Sequence, residues 1–138
     1  MYRETASGMT SELHVLMVDD EFDLLEIVAS LLETEGFQVS VYDDPRSAVA
    51  AVCDGLTPDL VMLDFRMPWL NGSETLKQMR GCGLTAPAVL VSAMASLAAE
   101  SAAAGFDDAL SKPFEIDELA RLLRRLPSVT RAPGPGMA

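Results

Sequence analysis

The chain has 138 residues, 49% of them hydrophobic and 22% charged, which suffices for one buried core and is too short for two ordinary domains. Its formal net charge of −11 argues against direct contact with nucleic acid or an anionic membrane, since both depend on basic side chains. The N-terminus lacks the apolar segment of a signal peptide, and Cys53 and Cys82 lack metal-binding spacing. We therefore expect a cytoplasmic domain in which both cysteines are reduced and lie in or near the packed interior.

Short apolar segments alternate with helical patterns along most of the chain. The predicted strands cover residues 13–18, 37–42, 59–63, 88–91 and 108–110. The first, third and fourth are continuously apolar, which is typical of parallel strands that are covered on both faces. Residues 84–106 are apolar enough to suggest a membrane span, but Pro87 and Glu100 favour division into a strand and an alanine-rich helix.

Five helical patterns follow the strands, and several have capping residues at their ends. They are marked by Leu24 to Leu32 with a stop at Gly36, a start at Asp44 and Pro45, a cap at Asn71 with an end near Gly81, residues 95–104, and Ile116 to Leu123. Five strand–helix units in series predict an α/β fold with an open, doubly wound parallel sheet. The common strand order 2-1-3-4-5 makes the first and third strands neighbours, and their carboxyl ends bound the ligand crevice.

Polar side chains gather at the predicted carboxyl ends of the strands. Asp19 and Asp20 follow the first strand, Asp64 the third and Ser92 the fourth, and Lys112 lies just after the fifth. Each has an ordinary explanation by itself: a helix cap for Asp20, a turn for Asp64, a loop for Ser92 and a solvated charge for Lys112. Their common placement at the ligand-binding edge favours a functional site.

Three neighbouring carboxylates disfavour one another's charged forms, and a divalent cation would relieve this repulsion. Oxygen donors without histidine or cysteine favour Mg²⁺, for which Mn²⁺ could substitute. With Lys112 in the same pocket, the metal could hold the oxygens of a phosphoryl group while a carboxylate attacks phosphorus.

Four motifs in register resemble the receiver domain of bacterial two-component response regulators. They are "VDD" after the first strand, "LDFRMPWLNG" after the third, "VSA" after the fourth and "SKPF" after the fifth. The resemblance covers about residues 12–126 and implies a flavodoxin-like arrangement of five strand–helix units. Residues 1–11 are then expected to form a disordered extension, and the proline- and glycine-rich residues 127–138 a flexible tail.

The resemblance implies that Asp64 accepts a phosphoryl group from a histidine kinase or a histidine phosphotransfer protein. It also implies that Asp20 and Asp64 bind Mg²⁺ directly, with the backbone carbonyl of Arg66 as a further ligand and Asp19 acting mainly through a metal-bound water. Such a domain is a signalling switch, not an enzyme beyond its own phosphorylation and dephosphorylation. Its output would be altered binding to a downstream protein, or phosphorylation-dependent dimerisation.

The resemblance further implies that Lys112 pairs with the acceptor and then with the phosphoryl group, and that Ser92 moves toward the phosphoryl oxygens. The bond between Lys112 and Pro113 is expected to be cis. Side chains two residues past the acceptor and past the serine, Arg66 and Met94, are expected to tune hydrolysis, with Met94 shielding the phosphoryl group.

One departure from the family concerns the aromatic residue that usually lies three positions before the lysine, where this chain has Ala109. Phe106 is a candidate substitute, and the alternative is signalling through Ser92 and the helix predicted over residues 95–104. Two other functions stay open at this point. One is a pseudo-receiver that binds partners without phosphorylation, and the other is a phosphatase of the haloacid dehalogenase type, whose DxD pattern the segment "VDDEF" does not match.

Overall fold

The computed structural model describes the backbone of residues 13–93 and 105–130, and the side chains of those up to residue 126. The strands are β1 (His14–Val18), β2 (Gln38–Tyr42), β3 (Leu60–Asp64), β4 (Ala88–Ser92) and β5 (Asp108–Ser111). The helices in these ranges are α1 (Phe22–Thr34), α2 (Pro45–Cys53), α3 (Gly72–Gly81) and α4 (Ile116–Thr130). The helix predicted over residues 95–104 lies outside the described residues.

All five strands are parallel and form one sheet in the order β2-β1-β3-β4-β5, which confirms the predicted fold and strand order. In the central pair of strands, Val18 of β1 is opposite Leu63 of β3. The next residues along both strands, Asp19 and Asp64, therefore leave the sheet side by side at its carboxyl edge.

The core has two layers because successive strand side chains point to opposite faces of the sheet. Val15 and Met17 of β1 pack with α1 and α4, whereas Leu16 and Val18 pack with α2 and α3. β3 and β4 are buried at every position, as their continuous apolar sequences predict.

Local sequence explains the helix ends. The side chain of Asp44 accepts a hydrogen bond from the Arg46 amide at the start of α2, where Pro45 needs no donor. Asn71 and Glu74 form a reciprocal capping box at the start of α3. Gly36 adopts a φ of 96° just after α1, a conformation that favours glycine. These ends agree with the sequence patterns.

The last helix continues to Thr130, so the first four residues of the predicted flexible tail, 127–130, are helical. The apolar stripe that predicted this helix ran from Ile116 to Leu123, and the buried Leu126 continues it, so the hydrophobic pattern contained no signal for the final turn. Residues 1–11 and 131–138 lie outside the described residues. Within the described ranges, no helix combines the length and apolar character needed to cross a membrane.

Candidate functional site

Three carboxylates converge where β1 and β3 end. One oxygen from each of Asp19, Asp20 and Asp64 lies within 4.8 Å of the others. Asp19 and Asp64 are buried, with 7% and 8% of their surface exposed, whereas Asp20 is exposed. The sheet order thus brings together the three acids that the sequence placed at this edge.

Lys112 reaches the same pocket from the end of β5. Its Nζ donates a hydrogen bond to Oδ2 of Asp19 at 2.8 Å and lies 3.2 Å from Oδ1 of Asp64. Glu21, which sequence reasoning did not include, is 3.8 Å from the same ammonium, but its side chain is mostly exposed. The peptide bond from Lys112 to Pro113 is cis, as the resemblance implies.

The electrostatics of the pocket favour a bound cation. Burial, followed by the negative charge of Asp19, raises the pKa of Asp64 from 3.8 to about 6, against the opposing effect of Lys112. Burial and Asp19 also raise the pKa of Asp20. Burial lowers the pKa of Lys112, but its hydrogen bonds and charge interactions with Asp19 and Asp64 outweigh this, and the net shift is upward. One ammonium therefore only partly offsets three acids.

The capping explanation for Asp20 is not supported. The N-cap residue of α1 is Glu21, which makes no side-chain capping bond. Its backbone amide instead donates a 3.0 Å hydrogen bond to Oδ1 of Asp19. Asp20 therefore projects from the turn with no capping role.

Three further residues were predicted to belong to the site: Ser92, Arg66 and Met94. Ser92 is the last residue of β4 and is buried, and its carbonyl accepts a hydrogen bond from the Lys112 amide. Arg66 lies two residues past Asp64 with an exposed side chain. Met94 lies outside the described residues.

The segment that follows Asp64 is tightly constrained. The amide of Gly72 donates to the carbonyl of Phe65, and a Cβ at Gly72 would lie 2.7 Å from the backbone oxygen of Asp64. Trp69 adopts a φ of 71° and is 62% exposed, and the guanidinium of Arg46 stacks over its ring at 3.7 Å. Neither the left-handed tryptophan nor this stacking was predicted.

The position of the family's usual aromatic residue is occupied by Ala109, which is half-buried on β5. Phe106, the candidate substitute, is 7% exposed and packs in the core with the residues of α2 and α3. In this conformation the ring of Phe106 is part of the hydrophobic core.

The prediction for the two cysteines was wrong. Cys53 and Cys82 form a disulfide bond and both are exposed. The pairing was missed because 29 residues separate them, and only the packing of α2 against α3 brings them together. The sequence contained one signal for this pairing: the predicted end of α3 near Gly81 placed Cys82 at a helix terminus.

Fold and site together define the class: a five-stranded parallel α/β domain with an acidic pocket and a lysine where the strand order reverses. The family model of the response regulator receiver domain matches residues 15–124. The chain therefore belongs to the receiver domain family of two-component response regulators. Receiver domains are signalling switches rather than classical enzymes, and they bind Mg²⁺ at an acidic pocket.

Known proteins of this family resemble the chain over most of its length. It is 37% identical to the transcriptional regulatory protein TcrA of Mycobacterium tuberculosis (strain H37Rv) over 88% of the chain and 48% of that protein. The receiver domain of Francisella response regulator 1452 superposes with a TM-score of 0.78 at 30% identity, covering 86% of this chain and 99% of that one. The receiver domain of the Pseudomonas aeruginosa PAO1 sensor histidine kinase PA1611, with magnesium coordinated in its active site cleft, has a TM-score of 0.76 at 25% identity and covers 86% and 99%.

The chain spans about half the length of TcrA and 26% of the length of another curated relative, the regulatory protein AtoC of Escherichia coli (strain K12).

Proposed function

We propose that this domain accepts a phosphoryl group on Asp64 from the phosphohistidine of a histidine kinase or a histidine phosphotransfer protein. The observation that carries the proposal is the contact of Lys112 with both Asp19 and Asp64, in a pocket where three carboxylates lie within 4.8 Å. An oxygen of Asp64 attacks phosphorus, and the bond from phosphorus to the histidine nitrogen breaks. Later attack by water releases phosphate and restores the carboxylate.

The donor set fits Mg²⁺, for which Mn²⁺ could substitute. Asp20 and Asp64 would bind the ion directly with the carbonyl of Arg66, and Asp19 would act through a bound water. When present, the ion neutralises the carboxylates and the phosphoryl oxygens. The raised pKa of Asp64 supports this assignment, because burial and then the charge of Asp19 disfavour the ionised carboxylate, and a cation would stabilise it.

Lys112 and Ser92 would act on the phosphoryl group itself. The ammonium already lies 3.2 Å from Oδ1 of Asp64, so it can stabilise charge on oxygens attached to that atom. Ser92 ends the neighbouring strand β4, and its hydroxyl could donate to a phosphoryl oxygen. The occupied state would then differ from the free state around residues 92–93.

An apolar groove beside the pocket suits docking of the phosphodonor. Ile27 and Leu31 on α1 are 59% and 42% exposed, although both are large aliphatic residues. They face Pro113, Phe114 and Ile116 across a groove that also reaches Lys112. A helix of the kinase or phosphotransfer protein could place apolar residues here and its phosphohistidine over Asp64.

The phosphorylated domain would transmit its signal through altered binding to a downstream protein. Phosphorylation-dependent dimerisation is a second way to transmit it. The net charge of −11 makes direct contact of this domain with nucleic acid or an anionic membrane unfavourable. A cytoplasmic location follows from the proposed kinase partner.

The test is to add Mg²⁺ and acetyl phosphate to the protein and follow its intact mass, with Asp64→Asn as the control. We expect a mass gain of one phosphoryl group in the wild-type protein only, and none without the metal. Fluorescence of Trp69, on the loop that follows Asp64, should change in parallel.

Other outcomes identify the competing functions. Absence of any mass gain, with partner binding intact, would favour the pseudo-receiver. Continuous hydrolysis of unrelated phosphate esters would favour the phosphatase.

A further inference from the structure

The disulfide joins two neighbouring helices at the surface, away from the acidic pocket. Cys53 is the last residue of α2, and Cys82 is the C-cap residue of α3. Their Cα atoms are 5.1 Å apart, within the range that a disulfide requires without backbone movement. Both residues are exposed, so the bond is open to attack by a dissolved thiol.

We propose that Cys53 and Cys82 form a reversible redox site that fixes α2 against α3 when oxidised and releases it when reduced by a dithiol. A thiolate of the dithiol attacks one cysteine sulfur, the bond between the cysteines breaks, and the departing thiolate takes up a proton. The second thiol of the reductant then attacks the mixed disulfide. The other cysteine leaves as a thiolate and takes up a proton. The chain gains two electrons and two protons, and the reductant leaves as its own disulfide.

The hydrophobic core beneath the bond does not include either cysteine. Val52, Leu76, Met79 and Leu84 are all buried in the core cluster on this face of the sheet. Reduction would leave these contacts in place, since the cysteines themselves lie outside the buried layer. The reduced protein should therefore remain folded, which is the condition for a reversible site.

The position of Cys53 and Cys82 at helix ends affects how readily the disulfide is reduced. Both sulfurs lie at C-terminal ends of helices, away from the helix N-termini at which catalytic dithiols are typically placed. This environment does not stabilise the reduced form in the way that catalytic dithiols require. Oxidation by a mild disulfide oxidant is therefore favourable, and the exposed bond remains accessible to exchange.

The cross-link acts on a weakly held helix. α2 has nine residues, and only Pro45, Ala48 and Val52 are buried. So short a helix depends on tertiary contacts for its stability. Its other end contacts the acceptor loop through Arg46, which stacks on Trp69. The bond thus fixes the end of α2 that lies opposite this contact.

In a cytoplasmic domain, a location that rests on the proposed function, the redox state of the cell would determine whether the cysteine pair is reduced or oxidised. Cytosolic thiols are normally kept reduced, and disulfides there are mostly transient. The pair would be open at rest and would close under oxidative conditions. Loss of phosphoryl transfer would not affect this chemistry, so the two proposals can fail separately.

The experiment uses the full chain in its native state. Oxidised protein is treated with dithiothreitol, then with glutathione disulfide, and free thiols are alkylated and counted by intact mass at each step. Amide exchange is compared over residues 45–53, with α1 as the internal control. Cys53→Ser and Cys82→Ser are the matched variants.

We expect two alkylated thiols after dithiothreitol without denaturant and none after glutathione disulfide. Exchange in α2 should be roughly tenfold faster in the reduced protein and unchanged in α1. The serine variants should show the fast exchange with or without dithiothreitol. If one variant is unfolded, the reduced and alkylated wild-type protein supplies the same comparison.

Three results would overturn the proposal. The first is release of the thiols only in denaturant, and the second is formation of only mixed disulfides between the protein and glutathione after treatment with glutathione disulfide. Equal exchange in the oxidised and reduced states would show that the bond does not restrain α2.

Discussion

The acidic pocket has unfavourable electrostatics in the absence of a cation. Asp19 and Asp64 are buried side by side, and their only described close cation within the ranges 13–93 and 105–126 is Lys112. Two unit charges about 4 Å apart interact by about 4 kcal/mol at an effective dielectric constant of about 20. Burial of the Asp64 carboxyl and then this repulsion from Asp19 raise its pKa to about 6, so the group binds a proton more readily than usual. The folded, metal-free protein is therefore less stable when this carboxyl ionises.

Asp64→Asn should stabilise the metal-free protein in a pH-dependent way. The pKa of Asp64 is higher in the folded state, about 6, than its ordinary value of 3.8. Its contribution to stability is thus complete below pH 3.8 and is lost as the pH rises through 6. Because asparagine cannot ionise, its stability advantage should be larger at pH 7.5 than at pH 4.5 by about 2 kcal/mol.

Urea denaturation in a chelator measures this difference for both proteins. An equal advantage at the two pH values would show that Asp64 is not the titrating group. Saturating Mg²⁺ should reduce the advantage, since the ion stabilises the ionised carboxylate.

Lys112→Met should bind Mg²⁺ more tightly and accept phosphoryl groups more slowly. Methionine keeps the apolar stem but removes the ammonium, which contacts Asp19 and Asp64 and repels the ion. Loss of one nearby unit charge should strengthen metal binding roughly tenfold. Calorimetry measures the affinity, and intact mass after acetyl phosphate measures the transfer.

Lys77→Met is the matched control, because Lys77 is the chain's other lysine and is exposed on α3. It should leave both measurements unchanged. Weaker magnesium binding in Lys112→Met would contradict the proposed competition between ammonium and metal.

At the scale of elements, the connection from β3 to α3 determines where Asp64 is held. Asn71 and Glu74 cap α3, and Gly72 lets the start of this helix approach the backbone of Asp64. The role of this glycine is close approach, since its φ is not positive. The helix start therefore supports the acceptor directly.

Gly72→Ala should destabilise the domain and disturb the site. The new Cβ would lie 2.7 Å from the backbone oxygen of Asp64 and 3.1 Å from Cα of Phe65, so the main chain must move. We expect a loss of about 1 to 3 kcal/mol in the free energy of unfolding, as for an overpacked core. Magnesium affinity should fall as well.

Gly81→Ala provides the control within the same helix, because nothing lies within 4 Å of its Cβ position. This variant should equal or exceed the wild type in stability. If the two alanine variants were equally stable, the close approach at Gly72 would have no energetic importance.

Local patterns allowed most elements to be predicted, and features that depend on remote contacts were missed. The caps at Asp44 and Asn71 and the stop at Gly36 are visible in a few residues each. The strand order came from the alternation of elements together with a known preference. The acidic pocket could be predicted because parallel strands end at one edge.

Two features had no adequate local signal. A left-handed tryptophan contradicts residue preference, so the conformation of Trp69 depends on its surroundings, including Arg46. The disulfide depends on where two helices end relative to each other. Had both ends been located in three dimensions, Cys53 and Cys82 would have been candidates for pairing.

At the scale of the whole molecule, the disulfide restricts the unfolded chain more than it shapes the folded one. It closes a loop between residues 29 positions apart. In the chain-entropy treatment a loop of this size stabilises the folded state by roughly 3 to 4 kcal/mol. That is a large share of the 5 to 15 kcal/mol, roughly, that is typical of a domain.

Reduction should therefore lower the free energy of unfolding of the wild-type protein by roughly 2 to 4 kcal/mol. Urea denaturation with and without dithiothreitol measures the change. Cys53→Ser should resemble the reduced protein and should not respond to the reductant. A wild-type protein with equal stability in both states would rule out this contribution.

The two layers of the core also separate the molecule into two independently accessible sides. The cysteine pair lies on the side of α2 and α3, whereas the apolar groove at Ile27 and Leu31 lies on the side of α1 and α4. A probe or solid support attached through the cysteine sulfurs would therefore present the groove outward. Such an oriented surface would allow candidate kinases to be ranked by direct capture, with the acidic pocket left unobstructed.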